Sequence, residues 1–313
     1  MRAILILSLL LGAISCKQLR KEENTKDLNT EQPPQRIVAM KPAGFDTQGH
    51  RGCRGLLPEN SMPAFIKALD LGVVTLELDL VISGDEQVVV SHDPWFSHLI
   101  CADTEGNAIG KTEEKSLRIF SMSYDAIKTY DCGSRQHPGF PEQRPLRTHK
   151  PLLSEVIEAA DKHAIATGRE LPFYNVETKC TPAGDGTLHP SPEAFAMLAM
   201  RVLLENQVAE RSIIQSFDPR TLQFVHENFP GMRLALLVEN DLSLEENIER
   251  LGFVPDIYSP EYTLITPEMP KVCRQKGMQL IPWTVNDIDE MKTLKDMGVD
   301  GIISDYPNRF GDL

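Results

Sequence analysis

A closed (β/α)8 barrel is the fold class that this sequence predicts, carrying a β-hairpin and a small insertion after its second strand. Two observations carry the prediction. From about residue 44 onward, short apolar runs alternate with amphipathic helical stretches, the pattern of βαβ units on a parallel sheet. The length of 313 residues also suits an α/β barrel built as one domain. A third observation disfavours the alternative, an open doubly wound sheet, because its glycine-rich phosphate loop is missing.

The elements follow in order. The N-terminal MRAILILSLLLGAISC has a positive charge at Arg2 and an apolar run of about ten residues, too short to span a bilayer and suited to a signal peptide. Ala13-Ile14-Ser15-Cys16 resembles a bacterial lipoprotein box, in which Cys16 is lipidated. Residues 1–15 are therefore expected to be a signal peptide. Residues 16–35, polar and ending in Pro33-Pro34, are expected to be a lipidated cysteine and a disordered tether. Residues 36–313 are the barrel domain. An exported lipoprotein, periplasmic or at the cell surface and held to a bacterial membrane by its lipid, is the expected localisation.

Within the domain the predicted strands are FDTQGH (45–50), VTLELDL (74–80), PFYNVET (172–178), SIIQSF (212–217), RLALLV (233–238), DIYSP (256–260), LIPWTV (280–285) and DGIISD (300–305). Seven helical stretches lie between them, several ending at a glycine stop signal. After the second strand, VISGDEQVVVSHD (81–93) reads as a hairpin turning at Gly84-Asp85-Glu86. Residues 94–150 hold few apolar runs and are expected to form a lid or specificity insert rather than a second core.

Bulk charge narrows the partners. A net charge of −13 argues against nucleic acid, whose binding needs clustered Lys and Arg, and no obligate protein partner is expected. A small phosphorylated ligand remains compatible, since a metal or two local cations reverse the potential inside one cleft. Setting Cys16 aside leaves an odd number of cysteines, so at least one thiol stays free, and Cys101 with Cys132 is the preferred disulfide. No CxxC pair supports a zinc ribbon, and neither GxSxG nor HExxH occurs.

In such barrels the chemistry sits at the C-terminal ends of the strands. The first strand ends in His50-Arg51. The second carries Glu77 and Asp79 on one face, the third carries Glu177 and Lys179 on one face, and the seventh ends at Trp283-Thr284-Val285-Asn286. Buried charge of this density needs compensation. Glu77, Asp79 and Glu177 are oxygen donors suited to one divalent cation, Ca²⁺ or Mg²⁺; salt bridges to Lys179 and Arg51 are the plainer reading. The hairpin, paired so that residue numbers sum to about 171, sets His92 opposite Asp79. His50 and His92 are then candidates for general acid–base work. The other six histidines are expected to be bland surface residues. Asn60 or Ser61 is expected to cap the first helix.

Together, HRGCRGLLPENS, LELDL, VVVSHD, NVETK, PWTVN and DGIISD resemble the glycerophosphodiester phosphodiesterase family, in order from about residue 45 to residue 307. The resemblance implies a TIM barrel that hydrolyses glycerophosphodiesters to glycerol 3-phosphate and an alcohol with a divalent metal. It implies His50 and His92 as the catalytic pair and Glu77, Asp79 and Glu177 as metal ligands. It further implies Arg51 and Lys179 as phosphate contacts and Trp283 as the aromatic wall near the glycerol. PENS departs from the family's usual Thr, and the insert fits the common pattern poorly, which leaves the alcohol open. The alternatives are a lysophospholipase D-like phosphodiesterase and a non-catalytic lipoprotein binding a phosphorylated ligand. All the catalytic histidines and acids being present speaks against the second.

Overall fold

A computed structural model describes residues 36–313; the expected signal peptide, the expected lipidation of Cys16 and the expected tether fall outside the described residues. Strands β1 (Asp46–Gly49) and β2 (Thr75–Ile82) flank helix α1 (Met62–Asp70), and β3 (Val88–Val90) turns back on β2. The short α2 (Tyr124–Ile127) lies in the insertion and precedes α3 (Leu153–Thr167). There follow β4 (Phe173–Thr178), α4 (Pro192–Glu205), β5 (Ser212–Ser216), α5 (Pro219–Asn228), β6 (Arg233–Val238) and α6 (Leu244–Leu251). The chain ends with β7 (Ile257–Pro260), α7 (Met269–Gln275), β8 (Gln279–Leu280), α8 (Ile288–Met297) and β9 (Gly301–Ser304).

Leaving β3 aside, the strand order is β8-β7-β6-β5-β4-β2-β1-β9, all parallel. The segment after β8 closes the ring: Ile303 N donates to Pro282 O at 3.0 Å, and Val285 N donates to Ile303 O at 3.0 Å. Seven of the eight predicted barrel strands and all seven connecting helices lie where the sequence places them; the predicted strand 280–285 is a strand only at Gln279–Leu280, beyond which the segment pairs through isolated bonds such as the bridge of Trp283 to Glu261. The helix ends are chemically marked. Ser61, Ser191, Asp218, Ser243 and Asp287 cap the N-termini of α1, α4, α5, α6 and α8 with their side chains. Among the described residues, no helix is long and apolar enough to cross a membrane.

Strand alternation decides what faces the barrel axis. In β2, Leu76, Leu78 and Leu80 join the core shared with the helices, which includes Phe65, Phe195 and Leu222. The intervening Thr75, Glu77 and Asp79 are equally buried but belong to the other face. One part of the interior is apolar, built from Ile213, Ala235, Ile257, Ile281 and Ile303. The other is a buried polar column. Gln48 Nε2 donates to Asp46 (2.8 Å), Thr75 Oγ1 to Asp46 (2.6 Å), Asn175 Nδ2 to both Gln48 (2.8 Å) and Gln215 (3.0 Å), and Gln215 Nε2 to Glu77 (2.7 Å). Polar groups buried with partners in this way are tolerated and fix rotamers. The column ends at a carboxylate of the predicted metal set.

Two expectations need correction here. The hairpin registers one residue away from its expected pairing: Leu80 faces Val90, and Ser91 N donates to Asp79 O at 2.9 Å. Ser83 N bonds Gln87 O and Glu86 takes φ 61°, so the loop holds three residues and Ser91, not His92, lies opposite Asp79. His92 reaches the site because the chain leaves the ladder after Val90. The insertion, in turn, does build a satellite core. Phe96, Ile100, Ile109, Ile119, Tyr124 and Ile127 pack on Val81 and Val89 of the hairpin, around the Cys101–Cys132 disulfide. These apolar residues are scattered singly along the sequence, so no run betrays them. Cutting the disulfide with Cys132→Ser is expected to cost about 3 kcal/mol, from restored unfolded-state entropy. Thermal unfolding in the absence of reductant checks it.

Candidate active site

The first loop is built by close packing. A Cβ on Gly49 would meet Gly52 O at 2.2 Å, and one on Gly52, which takes φ +82°, would meet Ala64 at 2.8 Å. The two glycines therefore close the turn on itself and seat it on α1. Between them Arg51 adopts φ 48°, unusual for a non-glycine, and its own N–H donates to Glu77 Oε2 at 2.8 Å. Ser61 caps α1, whereas Asn60 is recruited to the site. Its Nδ2 donates to Asp79 Oδ2 (2.7 Å) and its Oδ1 accepts from Asp79 N (3.2 Å).

The predicted catalytic, metal and substrate residues all reach this region. His50, Arg51, Glu77, His92, Glu177, Lys179 and Trp283 line one cavity of about 320 Å³ at the C-terminal end of the barrel. Asp79 lies beneath it, and oxygens of Glu77, Asp79 and Glu177 all come within 4.8 Å of one another. Arg51 Nε sits 3.1 Å from Asp79 and Nη1 3.0 Å from Glu59; Lys179 Nζ is 2.8 Å from Glu177 and 3.8 Å from Asp79. Trp283 anchors its indole N–H on Ser259 O (2.8 Å) and meets Phe217 edge-on at 5.4 Å.

The carboxylate set fits a divalent cation. Asp79 Oδ1 is buried without a hydrogen-bond partner, an orphan that a positive ligand would satisfy. Burial and the charge of Asp79 push the Glu77 carboxyl well up. Burial also pushes Glu177 up, against Lys179. Asp79 is instead held well below the usual range, because Arg51 and Lys179 outweigh its burial. Like charges this close resist simultaneous ionisation unless more positive charge arrives. The donors are hard oxygens, which suits Mg²⁺ or Ca²⁺.

The two histidines are held differently. His50 Nδ1 lies 2.7 Å from Asp305 Oδ1. That carboxylate is held far below its ordinary range against burial, by His50 and Arg54, so it accepts and Nδ1 donates. Burial pushes the His50 imidazole down to about 4, which leaves a neutral ring with Nε2 unprotonated. Arg54 clamps Asp305 through Nε (2.8 Å) and Nη2 (3.1 Å), and Asn286 Nδ2 adds a third contact (2.8 Å). His92 is more open and holds Asp93 through Nδ1 at 3.1 Å.

Sequence reasoning missed Asp305, Glu59 and Gln215. Asp305 was legible: it is the charged residue that ends the last strand, the same signal that flagged His50. Gln215 shows as a lone polar residue within SIIQSF. Glu59 gave no local signal. One histidine expected to be bland is not: His189 is buried (2% exposed), accepts from Thr181 N at 3.0 Å and bonds Pro190 O at 2.8 Å, ordering the loop after β4. Among the described residues Cys53, Cys180 and Cys273 are free and buried.

Comparison with known proteins agrees with the geometry. The model of the glycerophosphoryl diester phosphodiesterase family matches residues 50–309. A glycerophosphodiester phosphodiesterase from Caldanaerobacter subterraneus subsp. tengcongensis is 30% identical, over 82% of this chain and 93% of that protein. One from Bacillus subtilis is 29% identical, over 87% of each. Among solved structures, a chain from Silicibacter pomeroyi DSS-3, provisionally described as a glycerophosphoryl diester phosphodiesterase, superposes with a TM-score of 0.75. It is 25% identical and covers 87% of this chain and 93% of that one. An Oleispira antarctica phosphodiesterase solved with sn-glycerol-3-phosphate shares the fold (TM-score 0.68, 21% identity, 86% of this chain and 96% of that one). The chain belongs to the glycerophosphoryl diester phosphodiesterase family, and as an enzyme it hydrolyses glycerophosphodiesters.

Proposed function

We propose that a glycerophosphodiester is cleaved in the cavity between His50 and His92, giving glycerol 3-phosphate and an alcohol, with the two imidazoles as general base and general acid. The observation that carries this reading is their joint placement around the Glu77, Asp79 and Glu177 cluster. His50, neutral and fixed by Asp305, presents Nε2 to take the proton of the attacking oxygen, either from water or from the glycerol 2-hydroxyl, whose attack gives a cyclic phosphate that water then opens to glycerol 3-phosphate. His92, beside the Asp93 carboxylate, gives a proton to the departing alkoxide. Arg51 and Lys179, now paired with carboxylates, contact the phosphate, and Trp283 with Phe217 walls the glycerol.

Glu77, Asp79 and Glu177 hold one divalent cation, Ca²⁺ or Mg²⁺. When bound, such an ion supplies positive charge against the anionic phosphate and the charge that develops in the transition state. Arg51 and Lys179 add fixed cationic charge on the same rim. A neighbouring groove of about 360 Å³ shares His92, Glu177, Lys179, Phe217 and Glu239 with the cavity and adds Pro94, Trp95 and Leu188; it receives the alcohol. Export and anchoring of the enzyme to a bacterial membrane through Cys16 complete the proposal and rest on the N-terminal sequence.

The test is product identity. Incubation with glycerophosphoethanolamine and a divalent ion is expected to release glycerol 3-phosphate and ethanolamine in equal amounts, read by an enzyme-coupled glycerol 3-phosphate assay. Glycerol with phosphoethanolamine as the products would contradict the assigned scissile bond.

A further inference from the structure

Lys150 closes the insertion immediately before α3 and is buried (6% exposed). Its Nζ donates to Ser91 Oγ at 2.7 Å, and Ser91 Oγ donates in turn to the Asp93 carbonyl at 2.7 Å. Asp93 then takes His92 Nδ1 on its side chain. The ammonium stands over the Phe96 ring, with Nζ 5.9 Å from its centroid. Burial lowers the lysine's pKa, and the charge of Asp93 is the strongest influence opposing that. Asp93 is held low against its own burial by the His92 hydrogen bond and by the charges of His92 and Lys150. The β2–β3 pairing ends with the Ser91 N to Asp79 O hydrogen bond (2.9 Å), so it fixes the backbone of Ser91 but not that of His92 and Asp93.

Stability does not account for an ammonium in this place. A methionine of similar length would fill the same space beside Phe96 without desolvating a charge. What the ammonium adds is a fixed donor to Ser91 Oγ and a fixed positive charge near Asp93, from a residue that does not itself line the cavity.

We propose that Lys150 is a positioning residue for His92, setting the Ser91–His92–Asp93 corner through Ser91 Oγ and through its charge on Asp93. The inference rests on the reading of His92 as the group that protonates the leaving oxygen. A residue that positions the proton donor matters in proportion to how much the leaving group needs a proton. An alkoxide such as that of ethanolamine needs one, and the p-nitrophenolate of glycerophospho-p-nitrophenol needs almost none.

Turnover of these two substrates by the wild-type enzyme, Lys150→Met, Ser91→Ala and His92→Ala tests it. In Lys150→Met, kcat on glycerophosphoethanolamine is expected to fall about 10- to 100-fold, with KM within about twofold and kcat on the nitrophenyl ester within about threefold. Ser91→Ala is expected to show the same selectivity, more weakly, and carries the test if Lys150→Met does not fold. The melting temperature of Lys150→Met is expected to be unchanged or higher. Equal losses on both substrates, or no loss on either, overturn the positioning role while leaving the function reading intact. A wild-type enzyme inactive on both, or a His92→Ala variant that loses both equally, overturns that reading and the proposal together.

Discussion

His50→Ala is expected to lower kcat on a glycerophosphodiester by more than about a thousandfold, and His92→Ala to do the same on substrates with an alkyl alcohol. General acid–base groups each contribute about 10² to 10⁴ in rate, and a thousandfold corresponds to about 4 kcal/mol of transition-state stabilisation. His50 is the more exposed to loss, because its ring is committed to one tautomer by a carboxylate that is itself clamped by Arg54 and Asn286. Asp305→Asn removes the partner that fixes the tautomer and is expected to cost about a hundredfold while leaving KM nearly unchanged. A steady-state comparison on glycerophosphoethanolamine, with folding checked by thermal melts, reads all three. Either histidine variant at near-wild-type rate would remove that residue from the reaction.

The second large effect is on metal supply. Chelation with EDTA is expected to reduce turnover below about one percent, and Ca²⁺ or Mg²⁺ in excess to restore it, because the three carboxylates then lack the positive charge their spacing calls for. The same cluster makes a prediction that does not depend on turnover. A cation at a hundredfold its Kd stabilises the folded state by about 2.7 kcal/mol, so the chelated protein is expected to melt several degrees lower and to recover on metal addition. Asp79→Asn is expected to abolish both the thermal shift and activity, since Asp79 Oδ1 is the buried carboxylate oxygen of the cluster that has no hydrogen-bond partner. Glu177→Gln is expected to halve the shift or more. A full thermal shift in both variants would place the ion elsewhere.

Much of this was legible in the sequence because barrel geometry converts position along a strand into position in space. LELDL predicted two carboxylates on one face, and β2 sends its leucines to the helix-side core and its acids to the interior. The same rule found His50, Glu177, Lys179 and Trp283, and it would have found Asp305 had it been applied to the last strand. What escaped depends on contacts between distant segments. The hairpin slipped by one residue because its loop holds a left-handed Glu86, which the residues Gly84-Asp85-Glu86 do not declare. The satellite core of the insertion assembles from isolated residues that only a disulfide and the hairpin face bring together. Nothing local to Lys150 in the sequence says that its ammonium bonds Ser91 Oγ. Asn60 looked like a cap and became a clamp on Asp79, a substitution of roles possible because Ser61 serves as the cap.

The central claim is that two separable devices share one cavity: a carboxylate cluster that holds a divalent ion and an imidazole pair that moves protons. The most direct measurement is a calorimetric titration of Ca²⁺ or Mg²⁺ into EDTA-stripped His50→Ala enzyme, run beside its turnover assay. The predicted result is metal affinity within about threefold of wild type together with turnover lost by about a thousandfold. Loss of metal binding with the histidine, or turnover that survives its removal, would contradict the separation and with it the proposed roles.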